Sequence, residues 1–288
     1  MAISHVAVVG AGQMGNGIAH VIALAGTPVV LIDVSGEALA KARGTIARNL
    51  ERQVTKGEID AAGRDAALAR ITTARELGAV TDADLIIEAA SESKDLKFRL
   101  FGELDREAAP GAILASNTSS ISITEVAART DRPAQVIGMH FMNPVAVMRL
   151  VEIIRGLATS DATTRAVVQL AERLGKTPVE VNDFPGFVSN RVLMPMINEA
   201  AYCVMQGVAS PEAVDTVMTL GMNHPMGPLA LADLIGLDTC VAILDVLHEG
   251  LGDPRYCPCP LLRKYVAAGW LGRKSGRGFH EYPPGGKR

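Results

Sequence analysis

Val6-Ala7-Val8-Val9-Gly10-Ala11-Gly12-Gln13-Met14-Gly15 is the stretch whose reading decides the fold. A short apolar, β-branched run leads into a G-x-G-x-x-G pattern made by Gly10, Gly12 and Gly15, and a helical pattern follows over residues 15–25. Glycines at this spacing permit a tight turn, close approach of the backbone to a pyrophosphate, and close packing of helix on strand. The helix N-terminus then presents N–H groups and positive dipole to phosphate. Gln13 and Met14 supply two of the backbone positions in that loop.

Working outward, Val29-Val30-Leu31-Ile32 reads as the next strand, and Asp33 stands at its end, eighteen residues past Gly15. That is close to the spacing of an acid that binds the adenosine ribose hydroxyls. A carboxylate there repels a 2′-phosphate, so NAD is expected in preference to NADP. An FAD site shares the fingerprint, and so does a plain Gly turn with a helix-capping Asp. The residues further along suit hydride exchange with a hydroxyl and favour NAD.

Short apolar runs continue at Leu85-Ile86-Ile87, Ala112-Ile113-Leu114-Ala115, Val136-Ile137-Gly138-Met139, Glu152-Ile153-Ile154 and Pro178-Val179-Glu180-Val181. Alternating with helical patterns, they predict βαβ units and a parallel, doubly wound sheet. Two helices, over residues 37–55 and 61–70, are inserted between the second strand and Leu85. The first is rich in Lys41, Arg43, Arg48, Arg52 and Lys56. Such charge suits a solvated face, or a contact for an anionic ligand tail. Asn182-Asp183-Phe184-Pro185-Gly186 marks the domain boundary, because Pro and Gly break the pattern there. Helices are expected over residues 187–206, 211–220 and 227–247, followed by a Gly- and Pro-rich stretch over residues 254–288. The predicted organisation is an α/β domain at 1–183 and an all-α domain at 184–288.

Composition narrows the function. The chain has 288 residues, 48% hydrophobic and 20% charged, with a net charge of -3 and few aromatics. With no basic block longer than two residues, nucleic acid is not an expected partner. The most apolar stretch, residues 18–33, is interrupted by His20, Gly26 and Pro28, so no membrane span is expected. The N-terminus lacks the layout of a signal peptide, which places the chain in the cytoplasm. Cys203, Cys240, Cys257 and Cys259 lack zinc-pair spacing and read as free thiols; no metal is expected.

Ligands of doubly wound sheets sit at the carboxyl ends of the strands. Ser116-Asn117-Thr118-Ser119 follows one strand end and His140 with Asn143-Pro144 another, twenty-one residues past Ser119; Glu152 comes twelve residues after His140. A His beside a carboxylate is a general base near neutral pH. A Ser or Asn donor orients a substrate oxygen. Plainer roles are a structural His, and a Ser run that caps the next helix with Glu125 in its first turns.

Ser116-Asn117-Thr118-Ser119-Ser120, His140-Phe141-Met142-Asn143-Pro144 and Leu150-Val151-Glu152 resemble the L-3-hydroxyacyl-CoA dehydrogenase family, and most of all its short bacterial 3-hydroxybutyryl-CoA members. So do the run from Asp183 to Arg191, Pro225-Met226-Gly227-Pro228, and Gly272-Arg273-Lys274-Ser275-Gly276-Arg277-Gly278-Phe279. The match covers essentially the whole chain in order. The resemblance implies a Rossmann domain with an inserted helical hairpin and a helical domain that forms a homodimer. It implies NAD as cofactor, an acyl-CoA substrate, and a place in β-oxidation, butanoate metabolism or aromatic-acid degradation. It also implies roles: His140 as general base, Glu152 as its partner, Ser119 and Asn190 on the substrate, and Asn143 as a support beside the His. Asp33, Glu92, Lys97 and Asn117 match cofactor positions, and Arg52 and Lys56 fall where relatives meet the CoA phosphates. Ala146, where many relatives have Pro, and Cys257-Pro258-Cys259-Pro260 depart from the family and leave acyl-chain preference open. Two further readings are a dehydrogenase of a free hydroxy or sugar acid, and an NAD(H)-binding sensor without turnover.

Overall fold

The computed structural model describes residues 3–282; residues 1–2 and 283–288, which include the end of the Gly- and Pro-rich stretch, lie outside the described residues. The chain divides into two compact units, Met1–Phe184 and Pro185–Arg288.

The first unit runs β1 (Val6–Val9), α1 (Gln13–Leu24), β2 (Val29–Ile32), α2 (Gly36–Thr55), α3 (Ala61–Ala69), β3 (Ile71–Ala74), β4 (Leu85–Glu88), α4 (Lys94–Glu107), β5 (Ile113–Ser116), α5 (Ile123–Ala127), β6 (Val136–Phe141), β7 (Leu150–Arg155), α6 (Asp161–Arg173) and β8 (Thr177–Asn182). Among the described residues the strands form one sheet in the order β3-β2-β1-β4-β5-β6-β7-β8. β1, β4, β5 and β6 are buried along their whole length, which is why they read as unbroken apolar runs. Ile18, Ile22, Leu31, Ile87 and Met139 belong to the core that this sheet buries. The order reverses at β1, so the ligand crevice of such a sheet opens between the carboxyl ends of β1 and β4.

The sheet departs from the all-parallel expectation at one place. β7 runs antiparallel to β6 and parallel to β8. Only residues 142–149 join β6 to β7, too few for a crossover, so the chain must turn back beside itself.

In the first unit, three elements go beyond the sequence reading. β3 is polar in the middle, with Thr72 and Thr73 exposed at the sheet edge. α4 is dense in charge, yet Lys97, Phe101 and Leu104 share its buried stripe. α6 is capped by Ser160, whose hydroxyl accepts from the N–H of Thr163, and buries Ala166, Val167 and Leu170. Likewise the helix after β5 is capped by Ser122, which accepts from the N–H of Glu125. The Ser116 to Ser119 run therefore does not cap it.

The second unit contains α7 (Ser189–Met205), α8 (Pro211–Thr216), α9 (Pro228–Ile235), α10 (Leu237–Leu251) and α11 (Pro260–Ala267). Ile197, Leu237, Leu244, Leu262 and Phe279 meet in its core. The helix expected over residues 211–220 changes into a π-helical turn at Val217–Gly221. The one expected over residues 227–247 is split at Gly236, whose φ is +104°. The C-terminal segment wraps the buried Asp233. Its carboxylate accepts from the N–H groups of Phe279 and His280 and from the Tyr282 hydroxyl. A Cβ on Gly278 would stand 1.9 Å from Asp233 Oδ1, so only glycine fits there.

Candidate active site

The loop after β1 has the form of a phosphate cradle. A Cβ at Gly15 would stand 1.7 Å from the Gly10 carbonyl, whereas one at Gly12 would meet no protein atom within 4 Å. Gly12 thus faces open space where a ligand can approach the backbone. No side chain caps the N-terminus of α1. Met14 is partly buried and packs against the core. Asp33 Oδ2 accepts from the N–H of Ala11 at 2.8 Å, and Oδ1 accepts from Ser35 at 2.9 Å. The acid thereby ties the Gly loop to the end of β2, and it remains partly exposed.

At the carboxyl ends of β4 and β5 lies a second polar network. Glu88, the last residue of β4, is fully buried and accepts from three donors: Lys97 Nζ at 2.6 Å, the Ala90 N–H at 2.7 Å and the Ser116 hydroxyl at 2.7 Å. Lys97 Nζ also lies 3.3 Å from Glu92 Oε2. Glu92 Oε1 in turn accepts from the Thr118 hydroxyl at 2.5 Å, the Ser119 N–H at 2.9 Å, and the hydroxyls of Ser119 and Ser120. Burial works against ionisation of Glu92, but Lys97 and these donors outweigh it and hold its carboxyl below the usual carboxylate range. Lys97 stands beneath the crevice edge, its side chain 1% exposed, and its charge reaches the rim through Glu92. Asn117 Oδ1 accepts from the Phe141 N–H at 3.0 Å, which fixes the β5 loop against β6.

The antiparallel pairing of β6 and β7 explains the twelve-residue spacing of the histidine and the acid. His140 and Glu152 are direct cross-strand partners. Their side chains meet, with His140 Nδ1 2.8 Å from Glu152 Oε2, and both are buried. His140 lies inside β6, one residue before its end, and not past it. Just beyond, Asn143 Oδ1 accepts from Gln13 Nε2 at 3.1 Å, joining the β6–β7 loop to the Gly loop.

Three further expected residues lie on helices, Asn190 on α7 and Arg52 and Lys56 on or just past α2. Asn190 is buried in the first turn of α7, in the second unit. Arg52 and Lys56 are exposed near the C-terminal end of α2, and Lys56 Nζ is 3.9 Å from Glu58. At helical spacing they continue the α2 face that carries Lys41, Thr45 and Asn49. That face walls a cavity of about 450 Å³ whose other sides include Gln13, His20 and Asn143.

Two family models match the chain. Residues 5–184 match the NAD binding domain of 3-hydroxyacyl-CoA dehydrogenase, and residues 186–282 match its C-terminal domain. The chain belongs to the 3-hydroxyacyl-CoA dehydrogenase family. It is 60% identical to a probable 3-hydroxybutyryl-CoA dehydrogenase of Bacillus subtilis, over 98% of each chain. It is 56% identical to the 3-hydroxybutyryl-CoA dehydrogenase of Bradyrhizobium diazoefficiens, over 97% of this chain and 96% of that one. The crystal structure of (S)-3-hydroxybutyryl-CoA dehydrogenase from Ralstonia eutropha superposes with a TM-score of 0.96 at 51% identity, covering 98% of this chain and all of the other. The protein is an NAD-dependent oxidoreductase of this family, with a Rossmann-like sheet followed by a helical domain.

Sequence reasoning missed Glu88, which joins Ser116 to Lys97 beneath Glu92. A charged residue at the carboxyl end of an apolar strand was the available signal, since Glu88 directly follows Leu85-Ile86-Ile87. It says nothing about the direction of the side chain, which points inward here.

Proposed function

We propose that this chain interconverts (S)-3-hydroxyacyl-CoA and 3-oxoacyl-CoA with NAD, acting best on a short chain such as acetoacetyl-CoA. The observation that carries the reading is the buried His140–Glu152 pair, 2.8 Å apart at the carboxyl edge of the sheet. Glu152 accepts the Nδ1 proton and so leaves the Nε2 lone pair to act as base. In the oxidative direction His140 takes the proton of the 3-hydroxyl, and Glu152 stabilises the imidazolium that results. Bound NAD+ supplies the hydride acceptor. Ser119 holds the substrate oxygen, and Asn143 and Asn117 fix the walls around the His. Gly10, Gly12, Gln13, Met14 and Gly15 hold the pyrophosphate with their backbone, Asp33 the adenosine ribose, and Glu92 with Lys97 the nicotinamide side. The open space at Gly12 and the uncapped start of α1 fit this cofactor.

The α2 cavity supports the CoA ester over the free acid. One side of it is the Gly loop given to the cofactor, and along its α2 side a pantetheine arm can run past Lys41 and Asn49 toward the exposed Arg52 and Lys56; a free acid has no such arm. His20, which lines it, is buried with Nδ1 lacking a partner. Exposed Val217, Leu220 and Met222 on the second unit support a homodimer contact. The four free cysteines suit a reducing compartment such as the cytoplasm.

The test is His140→Gln. Turnover of acetoacetyl-CoA is expected to fall by roughly 10² or more, with NADH binding nearly unchanged. Undiminished turnover in that variant would remove His140 from the chemistry.

A further inference from the structure

Three charges stand in one chain beneath the crevice: Glu88, Lys97 and Glu92. Glu88 accepts from Lys97, the Ala90 N–H and the Ser116 hydroxyl, which is the hydrogen-bond pattern of an ionised carboxylate. Lys97 Nζ lies 2.6 Å from Glu88 and 3.3 Å from Glu92, so one ammonium serves two carboxylates. A single buried ion pair of Lys97 with Glu88 would be neutral. Glu92 adds an uncompensated charge, and the group as a whole carries −1. The backbone of Glu88 pairs with Val9 of β1 on one side and Ser116 of β5 on the other, at the edge where the crevice opens. A protein interior screens such a charge far less than water does.

We infer that the Glu88–Lys97–Glu92 chain sets the redox preference of the bound cofactor, favouring the oxidised form over the reduced one. Only the oxidised nicotinamide ring carries a positive charge, so a net negative group beneath it stabilises NAD+ relative to NADH. Glu88 is the positioning residue of this device. It holds Lys97 between the two carboxylates and, through the Ser116 hydroxyl, anchors the strand end from which Asn117, Thr118 and Ser119 follow. Lys97 sets how much of the charge is cancelled. Glu92 carries the remainder to the rim, where four donors from residues 118–120 fix it. The inference rests on the nicotinamide half lying over β4 and β5, as proposed above.

The experiment measures dissociation constants of NAD+ and NADH by calorimetry, in the intact chain and in Glu88→Gln. The substitution keeps shape and removes one negative charge, taking the group from −1 to 0. A unit charge about 10 Å from the ring, at an effective dielectric constant between about 20 and 50, changes the ratio of the two constants roughly three- to fifteen-fold. The expected result is a shift of that size toward NADH, with Glu88→Asp returning the ratio to within about two-fold of the parent. Glu92→Gln, at the half-exposed end, shifts the ratio the same way and decides the matter if Glu88→Gln does not fold. An unchanged ratio in a folded charge-removing variant, or an equal loss for both forms, overturns the inference. Failure of the parent chain to bind either form would instead overturn the cofactor reading on which it rests.

Discussion

Two buried carboxylate hubs organise this molecule, one in each unit, and they differ in their donors. In the first unit Glu88 and Glu92 share the ammonium of Lys97 at the crevice edge. In the second, the described partners of Asp233 are two backbone N–H groups and the Tyr282 hydroxyl. Opposite titration behaviour follows. Burial disfavours the charge of Glu92, but Lys97 and the neighbouring hydrogen bonds hold its carboxyl below the usual range. Burial of Asp233 outweighs its dipolar donors and pushes its carboxyl up. A cation beside a half-exposed acid keeps charge available for a ligand. Dipoles alone make a staple that locks a chain segment in place.

The largest effect that would sharpen this contrast is expected from Lys97→Met. It leaves buried Glu88 without its cation, and breaking a buried pair costs about 3–5 kcal/mol. Denaturant unfolding measures it; a loss under about 1 kcal/mol would show that the pair is not held as described. Asp233→Ala comes next. It strands the N–H groups of Phe279 and His280 and should cost about 2–6 kcal/mol, at about 1–3 kcal/mol for each unsatisfied group. Unlike Lys97→Met, it leaves cofactor affinity unchanged in the folded fraction, which a binding titration checks.

The pH dependence separates the hubs by sign. Glu92, with its folded pKa lowered, contributes stability that is present above the unfolded pKa and lost as pH falls through the folded value. Asp233, with its folded pKa raised, contributes stability that is present below the unfolded pKa and lost as pH rises through the folded value. Thermal melts across the acid range should therefore show Glu92→Gln flattening the loss on acidification. Asp233→Asn should flatten the loss on going up in pH. Slopes of the same sign would break the comparison. The smallest stability effect belongs to the Arg52→Gln, Lys56→Gln double variant, whose exposed charges should change unfolding by less than about 0.5 kcal/mol. The KM for acetoacetyl-CoA should nonetheless rise several-fold; an unchanged KM would remove the two residues from the CoA path.

Much of the first unit was legible because parallel strands buried on both faces leave unbroken apolar runs, and because glycines at fixed spacing announce the turn after β1. α4 was not, since Lys97 occupies a core position and hides the helical stripe. β3 was not, since an edge strand with exposed Thr72 and Thr73 has no apolar run. The spacing of His140 and Glu152 could be read, but their contact depends on β7 turning back beside β6, which only the short connection dictates. The hydrogen bonds that join Glu92 to Thr118, Ser119 and Ser120 link segments 26 to 28 positions apart, a separation that no local pattern encodes.

The most direct measurement follows NADH oxidation with acetoacetyl-CoA beside free acetoacetate, each repeated with NADPH. Turnover confined to the CoA ester with NADH is the result predicted by the proposed roles of Asp33 at the adenosine ribose and of the α2 cavity along the CoA arm. Equal turnover of the free acid, or none with the ester despite NADH binding, would contradict the proposed reaction.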